Sequence, residues 1–273
     1  MASSTTTDNS EIDEQYLLLL LGDSNLPTGS FIASSGLESH EKHGFHLSKD
    51  STLSFIRDSL HTYSRSAIPF ISDSWATITS FKRGELDVQR TMEDIKRLDE
   101  LYDAMTLHNV ARRASKSQGV ALLTLYSKGL SRPWNETEEQ KGLSKLIFDI
   151  KLRVRREGFD GHLPICWGIL TAALGLSLER AQFLHLFLHA RGLLSAAVRL
   201  NTLGPYNAQQ VLLHDVKPLV VMEAAACKDL RTGVREDDAS EFDITMHGPA
   251  NTWPLGEILA ARHDLQHSRI FNS

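Results

Sequence analysis

Leu178-Glu179-Arg180-Ala181-Gln182-Phe183-Leu184-His185-Leu186-Phe187-Leu188-His189-Ala190-Arg191-Gly192-Leu193-Leu194-Ser195-Ala196-Ala197-Val198-Arg199-Leu200 carries only four formal charges, Glu179, Arg180, Arg191 and Arg199. A helix that is apolar nearly all round is one covered by other helices, so this stretch is expected at the centre of a bundle. Working outward, Pro164 to Leu174 reads as a second apolar helix, and Asn207 to Lys228 as a third, bent where Pro218 removes a hydrogen bond from the ladder.

Further from the centre the apolar residues keep a helical step. Leu53, Ile56, Leu60 and Tyr63 fall three and four apart behind Asp50 or Ser51 as cap, and Pro69 is expected to open a separate helix. Val88, Met92, Ile95, Leu98, Tyr102 and Met105 repeat the step inside Leu86 to Met105. Helices are also expected from Glu14 to Leu21, Asn109 to Lys128, Glu136 to Arg156 and Trp253 to about His267. Nowhere does strict alternation exceed this pattern, so the expected fold class is all-α, a single-domain bundle of roughly ten helices. Residues 1–13 read as a disordered polar leader and 14–273 as one domain with a flexible carboxyl-terminal tail. The turn formers Gly22 to Gly29, the stretch Ser131 to Thr137 and the acidic run Glu236-Asp237-Asp238 read as loops.

Composition narrows the function classes. With 273 residues, 41% hydrophobic and 23% charged, the chain can bury one substantial core, and its net charge of −5 gives no general attraction to nucleic acid or an anionic membrane. Cys166 and Cys227 form no Cys-x-x-Cys pair, which suits a reducing, cytoplasmic setting. The Leu17 to Leu21 run is far shorter than the roughly 20 residues a membrane span requires.

Catalytic signatures fail one by one. The Gly22 to Gly29 loop lacks a Gly-Lys-Ser/Thr ending, no Gly-x-Ser-x-Gly occurs, and Cys166 lies between Ile165 and Trp167, where burial would keep a thiol inert. Three histidine groups have ligand-like spacing: His40 with His43 and His46, His185 with His189, and His263 with His267. The plainer reading is a solvated loop for the first, core or interface imidazoles for the second, and dipole-matched residues at a helix end for the third. Lys151-Leu152-Arg153-Val154-Arg155-Arg156 would touch phosphates in a nucleic-acid module, and reads more simply as a solvated face.

Four stretches carry a family likeness. They are Leu20 to Phe31 with Ser35-Gly36-Leu37-Glu38; Gly161-His162-Leu163-Pro164 with Trp167-Gly168 and Ala173 to Leu176; Ala190 to Leu200 with Gly204-Pro205 and Gln209; and Ala261-Arg262-His263-Asp264 with Ser268 to Ser273. In this order they resemble the F-type urease accessory proteins, the UreF family. The resemblance implies an all-helical homodimer without catalytic activity, no cofactor and no metal ligand set of its own, and nickel as cargo. It implies assembly with the D-type accessory protein, called H in some bacteria, and with the G-type GTPase, the complex then delivering nickel to apo-urease.

By the same resemblance Glu38 and Arg199 belong to the GTPase-binding face. Arg269, Ile270, Phe271, Asn272 and Ser273 form a tail that contacts the D/H-type partner, expected to be loose until that partner orders it. Asn272 stands where the family often has arginine. His40 to His46 and Glu236 to Asp238 inherit no role. The alternative left by the residues themselves is a histidine-based nickel- or zinc-binding metallochaperone or hydrolase.

Overall fold

The computed structural model describes residues 4–26, 33–45, 48–131, 137–235 and 242–271, with side chains from residue 11 onward. Every regular element among them is helical: α1 (Ser4–Leu21), α2 (Leu37–Lys42), α3 (Lys49–Lys82), α4 (Val88–Met105), α5 (Asn109–Leu125), α6 (Glu138–Arg155), α7 (Leu163–Leu174), α8 (Leu178–Arg199), α9 (Pro205–Gln210), α10 (Lys217–Cys227), α11 (Ile244–His247) and α12 (Pro254–Ala261). Wide π turns at Tyr126–Leu130 and Val211–Val216 extend α5 and join α9 to α10, and a 3-10 turn, Arg262–Leu265, continues α12. No described helix is long and apolar enough to cross a membrane.

The helix enclosed on all sides is α7 rather than α8. Residues 164–172 of α7 are buried without interruption, whereas α8 keeps an outer face that includes Glu179, Phe183 and Ser195. The segment 163–174 carries no charge at all, and Gly168 lets it lie directly on α3. A Cβ built on Gly168 would stand 2.7 Å from the Ile71 carbonyl oxygen and 3.0 Å from the Trp75 amide. The bulk of Trp167 fills the space beside it, its indole N–H donating to the Ala181 carbonyl at 2.9 Å.

Pro69 does not start a helix; it sits inside α3, a single 34-residue helix. A proline there leaves the carbonyl four residues earlier without its ladder partner, and that carbonyl, on Arg65, accepts instead from the Ala250 amide at 3.3 Å. Tertiary structure thus repairs the break that the sequence predicts. The α3 cap is Ser48, whose hydroxyl and the Ser51 side chain form a reciprocal capping box, so the helix starts ahead of the expected Asp50 or Ser51. Polar residues survive in the buried part of α3 because their hydroxyls bond back along the helix: Ser72 to Ile68 O at 2.8 Å, Ser74 to Phe70 O at 2.7 Å and Thr77 to Asp73 O at 2.8 Å.

At the amino end, α1 begins at Ser4, ten residues ahead of the expected Glu14, so residues 4–13 of the polar leader are helical. Contacts with α8 give the reason for its lower half. The Glu14 carboxylate accepts from the Ser177 amide, an N-terminal group of α8, and pairs with Arg180 at 3.1 Å. The bend expected at Pro218 takes the form of the π turn just before it, which makes room for the proline ring.

Candidate partner-docking site

The amino-terminal and carboxyl-terminal motifs meet at one place. Ser35 and Gly36 have φ of 48° and 89°, the left-handed region, and turn the chain sharply into α2. A Cβ on Gly36 would come within 3.1 Å of the Ala260 side chain, so the glycine also lets α12 close over this turn. Ser39 fixes that approach by donating its hydroxyl to the Leu259 carbonyl at 2.5 Å.

Glu38, in the first turn of α2, is 1% exposed. Its carboxylate is not left bare, because Oε1 accepts the Ile270 amide at 2.7 Å and Oε2 the Phe271 amide at 3.1 Å. Hydrogen bonds to an ionised acceptor contribute roughly 1.5–3 kcal/mol each, enough to offset part of the cost of burying the charge. The Phe271 carbonyl meets His263 Nε2 at 3.1 Å, and the Arg199 guanidinium lies 5.9 Å from the centre of the Phe271 ring. Phe271 is 4% exposed and belongs to the main core, while Ile270 beside it is 63% exposed.

The tail up to Phe271 is therefore packed in the single chain, against the expectation of a loose end, because Glu38 supplies acceptors for its backbone. Arg269 pairs with Asp264 at 2.6 Å, and Asp264 also receives both nitrogens of the Arg113 guanidinium, at 3.1 and 3.0 Å. These bonds from Arg113 hold the Asp264 carboxyl below its usual range. Asn272 and Ser273 lie outside the described residues, as do Pro27 to Phe31 of the first motif and the Glu236 to Asp238 run. The first and third motifs also touch, since Arg191 donates to the Gly22 carbonyl.

Buried polar atoms without partners gather around this site. His263 Nδ1, both ends of the Gln266 amide, His40 Nδ1 and Ser34 Oγ have none among the described residues. Around it stand exposed apolar side chains: Leu255, Ile258, Leu265 and Ile270.

The three histidine groups do not converge as metal ligands. His40 stacks on Phe45 at 4.4 Å, His43 accepts from Arg262 through Nε2 at 2.7 Å, and His46 is outside the described residues. His185 Nε2 pairs with the Tyr63 hydroxyl at 2.8 Å and His189 Nε2 with the Ser59 hydroxyl at 3.0 Å. Burial lowers their pKa values to about 3 and about 4, so both rings are neutral at pH 7. The accessible part of His189 faces a cavity of about 200 Å³, also lined by Tyr63, His108, Trp253 and Glu257. His263 faces the tail, and the exposed His267 lies beyond the helix end, the 3-10 turn stopping at Leu265 short of the expected His267.

Sequence spacing missed one cluster, Asp103, Asp160 and His162, whose ligand atoms lie within 4.8 Å of one another. Lys116 already places its ammonium 2.9 Å from Asp103 and 2.6 Å from Asp160. The neighbouring Asp99 accepts the amides of Asp160, Gly161 and His162 at 2.6, 2.8 and 2.9 Å, anchoring the start of α7. Only the Gly161-His162-Leu163-Pro164 motif hinted at this corner, because its partners come from α4 and α5. Cys166 matches its reading as inert, burial raising its thiol pKa well above the ordinary value. Lys151 differs from a solvated face: it is buried and donates to Ser127 Oγ at 2.6 Å, at the carbonyl end of α5.

Comparison with known proteins extends over nearly the whole chain. The profile of the family described as UreF matches residues 47–214. The chain is 42% identical to Urease accessory protein 6 of Cryptococcus neoformans, over 97% of this chain and 99% of that protein. It is 27% identical to an uncharacterized urease accessory protein, UreF-like, of Schizosaccharomyces pombe, over 95% and 97% of the two chains. With the urease accessory protein UreF of Paenarthrobacter aurescens it shares 30% identity over 95% and 98%.

Proposed function

The chain belongs to the UreF family of urease accessory proteins and so serves in urease maturation, and on that premise we propose that it acts as a non-catalytic docking protein. In this reading it works in the cytoplasm as a homodimer, joins the D/H-type accessory protein to the G-type GTPase, and the complex carries nickel to apo-urease as GTP is hydrolysed. Nickel is cargo, and no cofactor is assigned to the chain. The observation that carries the reading is the meeting of Glu38, Arg199 and the tail at one place, where Glu38 and Phe271 are buried while Arg199 and Ile270 stay exposed, with Leu255, Ile258 and Leu265 exposed on the adjoining α12 and its 3-10 turn. Residues from three distant motifs gather there around protein-protein chemistry: main-chain hydrogen bonds, an aromatic anchor and a guanidinium.

Pull-down of the D/H-type and G-type proteins tests it, with wild type, Glu38→Gln, Arg199→Ala and a chain ending at Gln266. The expected result is loss of the D/H-type partner on truncation and of the GTPase in the two point variants. Equal retention of both partners by all four chains overturns the site assignment. For the metallochaperone or hydrolase alternative, tight stoichiometric nickel or zinc on the isolated protein would be the supporting result.

A further inference from the structure

We propose that the Glu38 cleft is a recognition site for a short bent peptide segment, filled in cis by residues 270–271 of this chain and able to take a partner's segment bearing an aromatic residue in their place. Which protein supplies that segment rests on the docking reading above; the chemistry of the cleft does not. Three main-chain groups of two consecutive residues are held, the amides of Ile270 and Phe271 by the two Glu38 oxygens and the Phe271 carbonyl by His263 Nε2. Two successive amides converge on one carboxylate only where the backbone bends, so contacts of that kind read the shape of the main chain and not the side chain. Selectivity then falls on the second position, where the aromatic ring enters the core beneath Arg199, and not on the first, whose side chain points out at 63% exposure.

The occupied cleft is built to exchange. His263 Nδ1 and both ends of the Gln266 amide are buried without partners among the described residues in the docked state, and each such group costs free energy that hydration would return on release. The tail's other tie, Arg269 with Asp264, is an exposed pair, worth little, and Asp264 keeps Arg113 when Arg269 departs. Holding the tail against this are the two Glu38 bonds, the buried Phe271 ring and the covalent attachment, a short tether giving an effective concentration on the order of millimolar. A free peptide must compete with that, so it binds the intact chain weakly and a chain with a crippled tail more tightly.

The test uses the full chain and a fluorescein-labelled synthetic peptide of the sequence from Gln266 to Phe271, read by anisotropy. Phe271→Ala is expected to bind the peptide at least tenfold more tightly than wild type, and adding Glu38→Gln to Phe271→Ala to lose at least tenfold of that gain. A peptide with serine in place of its phenylalanine should not bind. A second measurement needs no variant: millimolar unlabelled peptide should speed hydrogen exchange of the Ile270 and Phe271 amides in wild type while leaving α7 amides unchanged. Equal binding by wild type and Phe271→Ala, or indifference to Glu38→Gln, together with unaltered exchange of the tail amides, overturns the proposal. No partner protein enters this assay. A silent cleft with normal pull-downs removes the peptide site alone, and a working cleft with unaffected pull-downs removes the docking assignment alone.

Discussion

The α3–α7 contact and the α2–tail contact are both buried, yet they are made of opposite materials. Where α7 lies on α3, Gly168 removes a side chain to bring backbones together, Trp167 fills the remaining volume, and every polar intruder named there bonds to a carbonyl of its own helix or its neighbour. Where the tail lies on α2, a carboxylate and a histidine grip the peptide backbone, and five polar atoms nearby have no partner among the described residues. Close apolar packing is stable because nothing in solvent can replace it. A main-chain grip with unpaired neighbours can be matched by another peptide backbone, which is what the proposed exchange requires.

Trp167→Ala should therefore have the largest effect, lowering stability by about 3–5 kcal/mol, since it opens a cavity in the most enclosed layer and strips the Ala181 carbonyl of its donor. Urea titration followed by circular dichroism measures it. Gly168→Ala follows at about 1–3 kcal/mol, the new methyl forcing α7 off the Ile71 carbonyl. A loss below 0.5 kcal/mol for both would mean that the α3–α7 layer is looser than its contacts imply, and the comparison would break at its rigid end.

The histidine pair next to this layer adds a pH dependence with a definite sign. His185 and His189 have folded pKa values of about 3 and about 4 against an ordinary 6.5, so the unfolded chain binds protons first. Their contribution is complete well above pH 6.5 and is lost as pH falls toward 4 for His189 and toward 3 for His185, at up to about 1.4 kcal/mol per pH unit for each ring. Unfolding of wild type and of the His185→Gln/His189→Gln double variant at pH 7 and pH 4.5 checks this. The variant should lose less on acidification, and parallel curves would contradict the assigned burial.

Sequence periodicity revealed most of the rigid region and little of the exchangeable one. Three- and four-residue steps located α4 to within two residues, and the helices expected over Asn109 to Lys128 and Glu136 to Arg156 match α5 and α6 to within three, because those helices bury one stripe each. Pro69 misled because the donor that replaces its missing bond is Ala250, far away in the chain. Glu38 and the tail were each marked by resemblance, but as two separate surfaces. Nothing local in Leu37-Glu38-Ser39 or Arg269-Ile270-Phe271 says that they touch, since a main-chain hydrogen bond leaves no signature in side-chain identity. The same holds for Asp99, whose three amide bonds to residues 160–162 cross from α4.

Arg269→Ala should have the smallest effect and sharpens the comparison most. Its pair with Asp264 is exposed on both sides, and Arg113 still neutralises that carboxylate after the change, so global stability should move by no more than about 0.5 kcal/mol. The tail is a different matter, because Arg269 directly precedes the two gripped amides and limits how they swing away from Glu38. Exchange of the Ile270 and Phe271 amides should speed up a few-fold while α7 amides stay as they were, which nuclear magnetic resonance resolves residue by residue. If both sets of amides accelerated together, the tail would open only with the whole fold, and the two regions would be one cooperative unit rather than a fixed core carrying a replaceable segment.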